Sequence, residues 1–137
     1  MANIIYPKWK EARLQSTANA ALNGTGATGV YAALIDTGVY TQADTDEFWD
    51  GGGANDPIDA IIGTAIEITT KTYTDGLFDG ADIVVPLVSG TTAEAIVIYV
   101  ANAGAATTWR LFAYMDTGVT GLPVTPNGTN ININWSG

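Results

Sequence analysis

The chain has no cysteine and no histidine among its 137 residues, and only five basic side chains against fourteen acidic ones. Without cysteine there are no disulfides, no thiolate nucleophile and no sulfur ligands for zinc. Without histidine there is no imidazole base, which removes most catalytic triads and most transition-metal sites. The formal charge is -9, and three of the five cations, Lys8, Lys10 and Arg13, crowd the N-terminal segment, leaving only Lys71 and Arg110 beyond it. Nucleic acid is therefore excluded as an expected partner, because phosphate binding rests on lysine and arginine. No apolar run approaches the roughly 20 residues of a membrane span, and the opening Met-Ala-Asn-Ile-Ile-Tyr-Pro-Lys-Trp-Lys has no secretory apolar region. The expectations are cytoplasmic synthesis and no membrane partner.

What is present is apolar residue, 47% of the chain, enough at this length for one well-buried domain. Turn signals such as Asp75-Gly76, Asp79-Gly80, Ser89-Gly90 and Asn127-Gly128 punctuate short strand-like runs. Residues 131–135 alternate strictly, with Ile131, Ile133 and Trp135 on one face. The run Ile96-Val97-Ile98-Tyr99-Val100 is apolar throughout and reads as a central strand. Pro86 places its own run, residues 81–88, at an edge or a bulge. With runs at 30–36, 66–73, 93–101 and 107–115, the spacing predicts an all-β fold, an antiparallel β-sandwich of jelly-roll type with about seven or eight strands. One short N-terminal helix is expected from Pro7 to about Ser16, with proline at the first helical position. Residues 1–17 then form an arm and helix, and residues 18–137 a single sandwich domain. Residues 41–59, with six acids and Gly51-Gly52-Gly53, read as a long mobile acidic loop.

The tetrapeptide Asp-Thr-Gly-Val occurs twice, at Asp36 and at Asp116, each time after an apolar run. As chemistry, paired Asp-Thr-Gly loops suggest an aspartic protease, in which two carboxylates share a proton. Ala33-Leu-Ile-Asp36-Thr-Gly38 resembles the active-site strand of the retroviral-type enzymes, and Ile61-Ile62-Gly63 their second element. Size argues against two lobes, which leaves a dimer using Asp36 as the protease alternative. As structure, Asp-Thr-Gly is ordinary turn chemistry. The spacing Gly24-Thr-Gly26-Ala-Thr-Gly29 matches a dinucleotide loop but precedes a strand instead of following one. Asp44 and Asp46 start like an EF-hand, yet Phe48 stands at the next ligand position, which excludes an EF-hand and leaves only a looser site open; the expectation is a solvated acidic loop with no metal or other cofactor. Glycosylation triplets at Asn23, Asn127 and Asn134 lack a secretory context.

A broader resemblance is carried by Ile-Ile-Tyr-Pro-Lys-Trp-Lys-Glu-Ala from Ile4, Val-Tyr-Ala-Ala-Leu-Ile-Asp-Thr-Gly-Val-Tyr from Val30, Leu-Phe-Asp-Gly-Ala-Asp-Ile from Leu77, and the stretch from Phe112 to Gly128. In this order the segments resemble small virion proteins of tailed bacteriophages, and among these the head cement, or decoration, proteins. The resemblance implies a non-enzymatic jelly-roll subunit that pairs into homodimers. It further implies binding to the outer capsid surface, where the subunit bridges major capsid protein subunits. The implied location is the virion exterior, after synthesis in a bacterial cytoplasm.

Lys8, Trp9, Lys10 and Arg13 combine charge with an aromatic anchor on one short segment, the composition of interface hot spots, and are the candidate capsid contact. The competing reading packs Trp9 onto its own domain. A third function class, a carbohydrate-binding sandwich, would use Trp109, Trp135 and tyrosines as stacking platforms.

Overall fold

In a computed structural model describing residues 3–135, the apolar run becomes strand β7, Ala95–Val100, buried at all six positions. It lies at the centre of a five-stranded antiparallel sheet in the order β1-β8-β7-β2-β3. The other members are β1 (Ile4–Ile5), β2 (Val30–Ile35), β3 (Ile61–Glu67) and β8 (Arg110–Met115). Side chains alternate across β7, so each face of the sheet builds its own core. Ile96, Ile98 and Val100 join Val30, Leu34 and Phe112 on one face. Ala95, Val97 and Tyr99 join Ala33, Ile35 and Leu111 on the other.

The first face is covered by two short ribbons, β4–β5 (Thr72–Thr74, Leu77–Asp79) and β6–β9 (Ile83–Val85, Ile131–Ile133). The expected jelly-roll sandwich of seven or eight strands is therefore corrected. Among the described residues the sheets are three, separate and unclosed, with five, two and two strands, beside one α-helix. The reason is local. The expected strand at 66–73 is broken at Thr70, whose φ of 49° turns the chain out of extended geometry, and β6 stops before Pro86. The pieces that remain are too short to pair into a second full sheet.

The second face is covered by the stretch expected to be a mobile loop. It contains no strand, but Tyr40, Trp49 and Ala60 are buried under it and Trp49 stacks on Tyr99 at 4.3 Å. Its backbone is tied to the outer edge of β8: Trp49 N–H donates to Trp109 O (2.8 Å) and Leu111 N–H to Glu47 O (2.9 Å). Arg110, 6% exposed, meets Glu47 at 2.5 Å and lies over the Phe48 ring. At the other end Tyr6 and Tyr40 share a hydroxyl hydrogen bond of 2.8 Å, and Tyr40 donates to Asp46 at 2.6 Å.

Helix α1, Pro7–Leu14, starts at the expected proline and docks on β8, with Ala12 buried and Trp9 edge-on to Phe112 at 4.7 Å. The predicted Asp75-Gly76 turn closes the β4–β5 hairpin with both residues at positive φ, as a two-residue hairpin turn requires. The last position of the Asn134 triplet lies outside the described residues. At Gly63 the pairing of β2 with β3 shifts register, φ is +76°, and an added Cβ would sit 3.1 Å from Val85 Cγ1.

Gly63→Ala is expected to destabilise the fold by about 1–3 kcal/mol, through positive φ and crowding against the β6 layer, read as a lower urea midpoint. Burial raises the hydroxyl pKa of Tyr6, Tyr40 and Tyr99 well above the ordinary value, and that of Tyr114 to about 12. A raised folded-state pKa adds stability below the unfolded value of about 10, and that stability is lost as pH rises above it. These four tyrosines should ionise only together with unfolding in an alkaline absorbance titration. Reversible ionisation of all six in the folded protein would contradict their placement.

Candidate functional site

The most developed concavity is a cleft of about 520 Å3 between α1, the outer strands of the main sheet and the β4–β5 hairpin. Its floor is aromatic: Trp9 contacts Phe112 and Phe112 meets Phe78 edge-on at 5.5 Å, while Tyr73 stands outside the floor, 5.8 Å from Phe78. The indole N–H of Trp9 donates to Ala20 O (3.0 Å) and that of Trp135 to Ala81 O (3.0 Å), so both rings are fixed by their own chain. One wall is clamped by Asn3, whose amide donates to Thr117 O (2.8 Å) and whose carbonyl accepts from Asp116 N–H (3.0 Å) and Thr117 N–H (3.1 Å). Leu77, 65% exposed, stands on the hairpin rim.

The candidate contact residues divide. Trp9 is half-buried in the cleft floor against Phe112. Lys8 donates to Glu11 at 2.9 Å, a bond that raises the pKa of the lysine and lowers that of the acid. Lys10 and Arg13 are exposed, and Arg13 borders a shallow extension of the cleft beside Leu22 and Tyr73.

The two Asp-Thr-Gly-Val tracts leave β2 and β8 at the same end of the sheet, because both strands run antiparallel to β7 between them. Two strand spacings separate them, roughly 10 Å. Asp36 accepts from Gly38 N–H (2.7 Å) and Thr91 Oγ1–H (2.6 Å). Glu94, on the segment entering β7, accepts from Thr37 N–H (3.0 Å). Asp116 accepts from Thr117 Oγ1–H (2.8 Å). Within one chain the carboxylates are thus turn acceptors on either side of a strand, not a pair sharing a proton.

The remaining motifs are also absorbed locally. In the glycine loop, Gly26 N–H donates to Glu67 at 2.8 Å, so the chain's own carboxylate sits where the motif would place a phosphate. In the acidic segment Asp46, Asp50, Asp56 and Asp59 accept backbone N–H groups. Among the described residues no three acids are grouped to hold a metal ion. Tyr99 is stacked by Trp109 at 5.6 Å and by Tyr31 at 5.7 Å, which spends ring faces a sugar would need. Compared with protein-family models and with curated proteins, the chain matches none.

Sequence reasoning singled out Trp9 but missed Leu22, Leu77 and Phe78 as its companions. The available signal was the exposed Leu77 beside an Asp-Gly hairpin turn, in a strand too short to bury both faces.

Asp36→Ala removes an Asp turn bond and the tie to Thr91, and should cost about 1–2 kcal/mol in urea unfolding. Peptide hydrolysis by the purified protein is expected at background for both forms. Pepstatin-sensitive cleavage that disappears in Asp36→Ala would instead establish the dimeric protease alternative.

Proposed function

We propose that this chain is a non-enzymatic virion structural protein. It binds the outer surface of a tailed-phage capsid as a homodimer and stabilises the head by bridging major capsid protein subunits. One observation carries the reading. Three of the four segments that resemble cement proteins converge on one cleft, which is lined by Ile5 and Trp9, by Leu77 and Phe78, and by Phe112 and Val119. Segments far apart in sequence that meet at an open, apolar, aromatic-floored surface have the make-up of a protein-binding face.

The remaining properties suit such a role. Strong negative charge favours solubility before assembly. Many copies on a closed shell act together, so modest contacts per copy resist pressure from packaged DNA. Of the candidate contacts, Trp9 and Lys8 are engaged within the chain, which leaves Lys10 and Arg13 to face the capsid. Synthesis in the host cytoplasm and residence on the head exterior follow from the same reading.

The test is addition of the purified protein to cement-free expanded heads. Saturable cosedimentation and a higher temperature of DNA release are the expected results. Failure to bind heads at any protein concentration below aggregation would overturn the proposal.

A further inference from the structure

We infer that the cleft beside α1 is a docking groove for an extended segment of a partner chain, apolar in its middle and carrying a carboxylate at the end that meets α1. The partner's identity rests on the function proposed above, which makes it a surface segment of the capsid protein. Its chemistry is argued from the groove.

The floor calls for apolar side chains. The ring N–H groups of Trp9 and Trp135 and the amide of Asn3 already donate to backbone carbonyls of this chain, so the floor offers rings and alkyl groups but few free donors. The rim leaves large apolar groups in water: Leu77 is 65% exposed and Tyr73 49%, on a hairpin whose β4 is exposed at all three positions. Leaving such groups exposed confers nothing on the isolated fold, whereas covering them on binding releases water and favours association. The volume lies within the ~300–1,000 Å3 range of sites that enclose a small ligand or a few side chains.

Charge sets the direction. Lys8 pairs with Glu11, Arg110 with Glu47, and Lys71 donates to Ile68 O. Lys10 and Arg13 have no ion pair among the described residues, although the chain carries fourteen acids. Both lie on α1, and Arg13 borders the extension of the groove. On the hairpin Asp79 lines the groove, and Asp75 sits at the turn. A carboxylate is therefore attracted at the helix end and repelled at the hairpin end, and a net charge of -9 disfavours it over most of the remaining surface. The polar ends fix orientation, and the apolar floor supplies most of the affinity.

The experiment measures binding of the full-length protein to cement-free heads, by cosedimentation, for five forms whose circular dichroism and melting temperature are checked first. Leu77→Asp should bind at least tenfold more weakly, and Leu77→Met should bind like the unaltered chain. Leu87→Asp, at a leucine 77% exposed and two residues beyond β6, should have no effect. Combining Lys10→Glu with Arg13→Glu should weaken binding about tenfold and flatten its dependence on salt. If the unaltered chain fails to bind heads, the proposed function falls and this partner with it. If it binds and Leu77→Asp binds equally well, only the groove assignment is overturned. Equal weakening by Leu87→Asp would also overturn it, as the effect would then be added negative charge. So would loss of self-association in Leu77→Asp with head binding unchanged, which would give the groove to a second copy.

Discussion

The fold depends on burying one strand from both sides. β7 presents Ile96, Ile98 and Val100 to one face and Ala95, Val97 and Tyr99 to the other, and every position along it is buried. A sheet with such a strand at its centre needs a cover on each face, and this chain lacks the long strands for a second sheet. It meets the requirement with short ribbons on one side. On the other it uses a carboxylate-rich segment, which is an awkward cover for an apolar surface. Trp49, Tyr40 and Ala60 supply the apolar contacts, while Arg110 with Glu47 and the Tyr6–Tyr40–Asp46 chain take up the polar groups. Arg110 is buried while Glu47 is open to water, so solvent screens this pair and it contributes less than a fully buried one.

Much of the main sheet was legible because its strands obey simple patterns. The unbroken apolar run of β7, the β-branched and aromatic residues of β2 and β8, the proline that starts α1 and the Asp75-Gly76 turn all act locally, and local signals are what a sequence displays. The layering was not legible. Whether residues 41–59 drift or pack is decided by Trp49 finding Tyr99 fifty positions away, and nothing within the segment announces that partner. The break at Thr70 was equally hidden, since threonine is a good strand residue and nothing in the residue type announces a φ of 49°. The cleft escaped notice for the same reason: Ile5, Leu77 and Val119 become neighbours only through topology.

The repeated Asp-Thr-Gly-Val tract illustrates how a catalytic signature and a structural one converge on the same residues. Both tracts end strands that run in the same direction on either side of β7, so both chains must turn out of the sheet in equivalent surroundings. Aspartate accepting from the backbone, with glycine following, is a compact solution to that problem. At Asp36 the geometry is explicit, with Gly38 and Thr91 donating to its two oxygens. The echo marks a translation within one sheet.

The pairing of Ile4 with Tyr114 carries a consequence for how the molecule is made. The first strand of the chain has its partner in the penultimate one, and the helix that follows it packs on that same strand. During synthesis the N-terminal segment therefore emerges long before anything exists for it to dock on, and a helix of eight residues does not hold itself together in water. The groove walls close only when β8 has left the ribosome. The cleft takes shape only once residues from both ends of the described segment, Asn3 and Trp135 among them, are present together.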